Sequence, residues 1–283
     1  MFGGKNITIA ILLATFNRYA VTSRCITAIR NLQAISGVRI QIYLTDDNSP
    51  DQTGSLIEKQ FPEVKVFHSD GSLYWNRGMI NSWEEAIKDS PDYFLLLNDD
   101  VALCADALIQ MLEIYLENLS DTVVVGRTYF GDPLNITYGG LERKRVFSKF
   151  AFKISPVGGK SVCTFNANCV LIPSHAVDAV GILDPYYSQQ FGDIDLGLRF
   201  WKKKWNIVQA PRPVAELAKN RPYPHGAIKL TWSNIKFLLT NPKGLPYKET
   251  WHFYKKFGGF EFPMYFLMRY FKILLKRIYL RND

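Results

Sequence analysis

Tyr93-Phe94-Leu95-Leu96-Leu97-Asn98-Asp99-Asp100 is the stretch on which the fold turns. An apolar run without alternation is buried on both sides, which marks a strand of a parallel sheet covered by helices on each face. Asp99 and Asp100 follow directly, at the carboxyl end of the strand, where open α/β sheets bind their ligands. Neighbouring carboxylates at such a place are costly unless something positive neutralises them. A hard divalent cation, Mg²⁺ or Mn²⁺, does so through oxygen ligands, and a diphosphate can complete its shell. The plainer alternative is an Asp cap on a helix beginning near Ala105. That role needs one acid, and two exposed acids at the ligand edge favour the cation.

The alternation extends in both directions. Residues 7–14, 38–44, 64–67, 93–97, 123–126 and 169–173 read as strands. Residues 20–35, 53–60, 79–88, 105–116, 175–180 and 193–204 read as helices. Strands alternating with helices predict an α/β fold with a mostly parallel central sheet and helices on both faces, spanning residues 1–220. A proline-rich turn then leads into a helical, basic and aromatic C-terminal extension, 221–283. No G-x-G-x-x-G follows the first strand, which argues against an NAD-type site.

The 283 residues are 47% hydrophobic, enough for a sizeable core and too apolar for a disordered chain. A formal charge of +8 points to an anionic partner: nucleic acid, membrane surface or phosphorylated substrate. Most of the excess lies in the tail, where residues 243–281 hold nine Lys and Arg against two Glu. Cys25, Cys104, Cys163 and Cys169 lack C-x-x-C spacing and read as free thiols of a reducing compartment. The apolar run at 7–14 is too short for a signal peptide, and no stretch is long enough to span a bilayer, so a cytoplasmic location is expected.

Four segments, in order, resemble the motifs of family 2 glycosyltransferases with the GT-A fold, a Rossmann-like arrangement, in the style of the bacterial rhamnosyltransferase-like members. Ala14-Thr15-Phe16-Asn17-Arg18 resembles the first-strand motif, which implies that Thr15, Asn17 and Arg18 hold the donor's base. Asp46-Asp47-Asn48-Ser49-Pro50-Asp51-Gln52-Thr53 resembles D-D-x-S-x-D-x-T, in which Asp47 would bond the pyrimidine. Asn98-Asp99-Asp100 resembles the D-x-D segment, which implies Asp100 as metal ligand and Asp99 as partner of ribose or metal-bound water. Phe191-Gly192-Asp193-Ile194-Asp195-Leu196-Gly197-Leu198-Arg199 resembles E-D-x-D-L-x-x-R, with Asp193 as the catalytic base. One departure is Gly192, where the pattern usually has Glu.

The resemblance implies inverting transfer of a hexosyl or deoxyhexosyl group from a UDP- or dTDP-sugar to a saccharide acceptor. A lipid-linked acceptor in bacterial surface polysaccharide synthesis is expected. Such a displacement needs a base at the attacking hydroxyl and a charge sink at the leaving diphosphate. Asp193 opens a helix, whose positive end favours its ionised form; an N-cap role can coexist with catalysis. Asp195 and Arg199, four apart, read as a structural ion pair. Residues 71–81 open a helix after the third strand. Free amides there, with Arg77 and Asn81, suit a diphosphate or donor sugar, or the segment is an ordinary loop with Arg77 solvated. Phe165-Asn166-Ala167-Asn168 resembles the segment beside the donor sugar, which would place Asn168 there. His225 matches a histidine that some members hold near the metal, or it is a surface turn residue. His68, His175 and His252 read as structural or solvated. Residues 128–160, with Arg143-Lys144-Arg145, read as loops or a hairpin near the acceptor.

In the tail, Leu267, Tyr270, Phe271, Leu274, Leu275 and Ile278 form an apolar helical face, and Arg269, Lys272 and Lys276 a basic stripe. This fits an interfacial helix on an anionic membrane surface, peripheral on the cytoplasmic face of the inner membrane. Packing on the core or on a second subunit is the alternative. Two rival functions remain. A sugar-nucleotide nucleotidyltransferase would carry a Gly-rich basic loop where Thr15-Phe16-Asn17-Arg18 stands. A non-enzymatic basic module explains the tail but not acids at three ligand-facing positions, and nucleic acid is not the expected partner.

Overall fold

The computed structural model describes residues 6–118, 121–144, 149–217 and 232–279, the last stretch with its side chains from 233 to 272. In chain order the elements begin β1 (Ile7–Thr15), α1 (Tyr19–Arg30), β2 (Val38–Asp46), α2 (Thr53–Gln60), β3 (Lys65–His68), α3 (Tyr74–Ile87) and β4 (Tyr93–Leu97). There follow β5 (Ala102–Leu103), α4 (Ala107–Asn118), β6 (Thr122–Phe130), β7 (Asp132–Tyr138), β8 (Gly140–Arg143), β9 (Phe152–Ile154), β10 (Thr164–Phe165) and β11 (Cys169–Pro173). The last are α5 (His175–Val180), α6 (Gly192–Lys202), β12 (Asn206–Glu216), α7 (Trp232–Thr240), α8 (Tyr247–Gly258) and α9 (Phe262–Tyr279). They divide into two compact units, one within Met1–Pro185 and Gly192–Lys219, the other within Tyr186–Phe191 and Asn220–Asp283.

Nine strands of the first unit form one sheet in the order β3-β2-β1-β4-β11-β6-β12-β5, with β7 on β6. β3, β2, β1 and β4 run parallel, as do β6 and β12, while β11 runs against both its neighbours. Alternate side chains of β1 separate two cores, as a period of two requires. Ile7, Ile9, Ile11 and Leu13 pack with Ile26 of α1, Ile57 of α2 and Leu108 of α4. Ala10 and Leu12 pack with Met79 and Trp83 of α3, Ala176 of α5 and Phe200 of α6. All five residues of β4 are buried, which explains its unbroken apolar run.

The structure departs from the sequence reading in three places and decides between two readings in a fourth. Helix α1 stops at Arg30 instead of running to 35, with the Asn31 amide returning to the Thr27 carbonyl at 3.1 Å. Helix α3 starts at Tyr74 instead of 79, because a carboxylate just after β2 caps it (below). Of the two readings of residues 128–160, loops or a hairpin, the hairpin is what forms: β7 pairs antiparallel with β6 and β9 with β8, and β8 joins β9 and β10 in a second, antiparallel sheet. Strand β12 has no counterpart in the reading. Pro211 and Pro213 disguise it, and its register with β6 shifts on both sides of Pro213, a bulge that accommodates proline.

Parallel pairing brings the strand ends to one edge. Thr15 lies beside Asp46 in β1 and β2, and Leu12 beside Leu96 in β1 and β4. The loops after these strands therefore emerge together.

Candidate active site

Arg18, immediately before α1, reaches across the edge to the acids after β4. Its Nη1 donates to Asp99 Oδ1 at 3.0 Å and to Asp100 Oδ2 at 3.4 Å. Thr22 lies on the buried side of α1 and bonds Asp99 Oδ2 at 3.1 Å and the Thr15 hydroxyl at 2.9 Å. Both oxygens of Asp99 are thus held by protein, and the residue is only 4% exposed. Asp100 is different: its Oδ1 is buried and has no hydrogen-bond partner among the described residues. Burial raises both carboxyls above the ordinary range, and the Arg18 charge opposes this at each. Beneath them the Cys25 thiol bonds the Asn98 carbonyl at 3.6 Å. Burial, then the charges of Asp99 and Asp100, push that thiol well up, so it is a neutral packing group.

A buried carboxylate oxygen without a donor is a position that a bound cation satisfies, and its hard oxygen chemistry fits Mg²⁺ or Mn²⁺. Among the described residues no group of three or more His, Cys, Asp and Glu could hold a metal ion. Arg18 also provides part of the positive charge that the acid pair needs.

Asn98 links this corner to a second one. Its side-chain amide donates to Asn168 Oδ1, its backbone N–H donates to the Asn168 carbonyl at 3.1 Å, and its Oδ1 accepts from Trp75 Nε1 at 2.9 Å. Two residues earlier, Asn166 Nδ2 faces Asp193 Oδ2 at 3.5 Å, and the Ala167 amide also bonds that carboxyl. The strip Asn166-Ala167-Asn168 is gripped by an acid at one end and by the acid-bearing loop at the other. Asp193 stands in the first turn of α6, its Oδ1 taking the Ile194 amide at 2.7 Å. Burial raises its carboxyl, and the surrounding amides oppose this without an opposite charge among the causes. Asp195, fully buried two residues on, accepts from Arg199 Nε at 2.6 Å. The other Arg199 nitrogens bond the Val180 and Ile182 carbonyls at 2.7 and 2.6 Å.

The start of α6 is fixed from α3. A Cβ added at Gly192 would lie 1.7 Å from Asn76 Oδ1, so only glycine fits. Asn76 is fully buried and donates to the Asp184 carbonyl at 2.9 Å, and Arg77 Nε donates to the Pro185 carbonyl at 3.1 Å. Phe191, just before, has φ of 70°, and Tyr74 at the start of α3 has 56°. Positive φ is costly for bulky residues, about 1–3 kcal/mol, and gathers at functional sites.

Residues 10–172 match the family described as Glycosyl transferase family 2. The chain belongs to that family. It is therefore a glycosyltransferase, taking a sugar from a nucleotide-sugar donor to an acceptor, and its curled, largely parallel sheet is consistent with the GT-A fold. No curated protein matches it. The matched span reaches the end of β11 and stops before Asp193.

Within this glycosyltransferase, Thr15, Arg18, Asp99 and Asp100 form one cluster, and Asn168 is tied to it through Asn98. Asn17 is exposed, with φ of 54° and its amide on Ser49 Oγ at 2.8 Å. Asp47 is buried and occupied. It accepts from the Ser69 hydroxyl at 2.6 Å and from the Leu73 and Tyr74 amides at 3.1 and 2.8 Å. Those two amides, expected to be free for a diphosphate, are thus capped by Asp47. Arg77 is not simply solvated but tied to Pro185, and Asn81 bonds Thr45 Oγ1 at 3.1 Å on the inner side of α3. His225 lies outside the described residues. Arg143, from the basic run, is placed by a ring contact. Its guanidinium stacks on Trp201, 4.9 Å from the ring centroid, eight residues beyond Asp193 on α6 and about 12 Å along the helix. Thr22, Trp75, Asn76 and Asn166 hold the site residues in place. Asn166, Trp75 and Asn76 lie in segments already marked in the sequence, whereas Thr22 has no signal beyond a polar side chain in a helix.

Proposed function

We propose that this chain is an inverting glycosyltransferase, rhamnosyltransferase-like, acting on a UDP- or dTDP-sugar. The acceptor is a saccharide, lipid-linked, in bacterial surface polysaccharide synthesis on the cytoplasmic face of the inner membrane. The observation that carries this reading is the Asn166-Ala167-Asn168 strip. It couples Asp193, a half-buried carboxyl with no cation beside it among the described residues, to the loop that bears Asp99 and Asp100. A base and a diphosphate site joined by three residues are what a displacement at an anomeric carbon needs.

In this reading Asp193 accepts the proton of the acceptor hydroxyl as its oxygen bonds to the anomeric carbon. The bond from that carbon to the diphosphate breaks with its electron pair on the leaving oxygen, and configuration inverts. Burial suits Asp193 to this, because a carboxylate of raised pKa is the stronger base. Asp100, beside Asp99, would hold Mn²⁺ or Mg²⁺, which when bound offsets negative charge on the diphosphate. Arg18 keeps the two acids oriented, and Thr15, Asn17 and Asp47 border the space for the nucleoside.

A thermal-shift panel of UDP-, dTDP- and GDP-sugars, with Mn²⁺ or with EDTA, tests the donor and the metal. A ligand that binds only the folded chain raises its Tm. A UDP- or dTDP-sugar is expected to give the largest rise, and EDTA to abolish most of it. A panel led by GDP-sugars, or insensitive to EDTA, would overturn the corresponding assignment.

A further inference from the structure

In the second unit, α8 and α9 pack through aromatic rings. Trp251 meets Phe262 and Phe266 at centroid distances of 4.8 and 5.1 Å, Tyr254 lies on Tyr265, and the Tyr270 hydroxyl donates to the Leu245 carbonyl at 2.9 Å. This contact consumes one side of α9. The opposite side carries Met264, Leu267, Met268 and Phe271, all exposed, Leu267 by 65%. Phe260, in the turn leading into the helix, is 91% exposed. At 3.6 residues per turn these positions fall on one stripe. Tyr270, assigned to the apolar face from the sequence, belongs to the packed side instead.

Among the described residues, the fully exposed charges around the stripe are all basic. Arg269 and Lys272 are exposed beside it, and Lys248 and Lys255 are exposed on α8. The acids of the same region are less exposed: Glu249 is buried and accepts from the Ser188 amide, and Glu261, half-buried, accepts from the Tyr265 hydroxyl. Among the described residues no helix is long and apolar enough to cross a membrane.

We propose that this stripe lies in the surface of an anionic bilayer, with α9 parallel to it. Phe260, Met264, Leu267, Met268 and Phe271 enter the acyl boundary, while Arg269 and Lys272 meet the headgroup phosphates. Charge favours this occupant over a second copy, because a self-complementary contact would set each basic edge near its own duplicate. The proposal deepens the membrane location given above and names the face that makes it, without depending on the reaction.

Co-sedimentation of the full chain with phosphatidylcholine vesicles, with and without phosphatidylglycerol, tests it. Binding is expected to the anionic vesicles alone and to weaken with added salt. Leu267→Glu combined with Phe271→Glu is expected to weaken partitioning about tenfold or more, since large apolar side chains drive interfacial binding. The sedimentation coefficient and the Tm rise with donor should be unchanged. Phe271→Ser alone, at an exposed position, should keep Tm and still bind several-fold more weakly, which guards against a folding defect in the pair. Undiminished binding by the glutamate pair overturns the proposal, and so does a wild-type chain that ignores anionic vesicles. A wild-type dimer that the pair converts to monomer would assign the stripe to a second copy. Donor-induced Tm shifts read on the same samples keep failure of the enzymatic reading distinct from failure of this one.

Discussion

The corner after β4 and the corner at the start of α6 each hold two acids, and in each the two are treated differently. Asp99 is locked by Arg18 and Thr22, and Asp195 by Arg199. Among the described residues, Asp100 has Arg18 on one oxygen at 3.4 Å but no donor on the other, and Asp193 has amides around it but no cation. The fold uses one acid of each pair as an anchor and leaves the other electrostatically unsettled. A paired buried acid is a structural part, whereas an unpaired one carries a standing cost that only a ligand or a proton removes.

The largest effect that could break this contrast is at Asp193. Asp193→Asn is expected to lower turnover by about 10²–10⁴-fold, the range for loss of a general base. It is also expected to raise Tm at neutral pH, and the sign follows from linkage. The folded carboxyl titrates above its unfolded value, so as pH rises the unfolded chain releases its proton first and stability falls. The penalty begins near the ordinary carboxylate range, about pH 4, and is complete above the folded pKa. Asparagine escapes it. Melting curves from acid to neutral pH should therefore diverge upward for the variant, and a variant less stable than wild type at neutral pH would sink the idea.

Arg199→Ala should do the opposite. It removes the cation paired with the buried Asp195, and breaking a buried ion pair from one side costs about 3–5 kcal/mol. Urea denaturation measures the loss, and the molecules that remain folded should keep their turnover. The smallest effect is expected at the glycine. Gly192→Ala forces a methyl onto Asn76 and should cost about 1–3 kcal/mol by overpacking, with kcat falling more than KM rises. Adding Asn76→Ala removes the obstructing oxygen, so a double-mutant cycle should show favourable coupling. Additive losses would mean that Asn76 does not position the start of α6.

The parts legible in the sequence were those set by local pattern. Unbroken apolar runs marked β1, β4 and β11, because burial on both faces leaves no room for alternation. The i,i+4 spacing announced the Asp195–Arg199 pair, since helix geometry alone brings those side chains together. What stayed hidden depends on residues distant in the chain. Helix α3 begins at Tyr74 because Asp47, 27 residues earlier, caps it. Thr22 and Asn166 gain their roles only once α1 and the segment before β11 reach the acids. In β12 the prolines mimic a loop, and only pairing with β6 on either side of the bulge reveals a strand.

The contact between Gly192 and Asn76 also bears on how this chain can have descended. A lineage carrying Glu at the position of Gly192 needs that space clear, and one carrying Asn at 76 fills it. Neither position can change first without a damaged intermediate, unless residue 76 shortens before 192 gains its side chain. Among relatives with the same α3, the two sites should therefore vary as a linked pair, so that the identity of residue 76 foretells whether an acid precedes the position of Asp193.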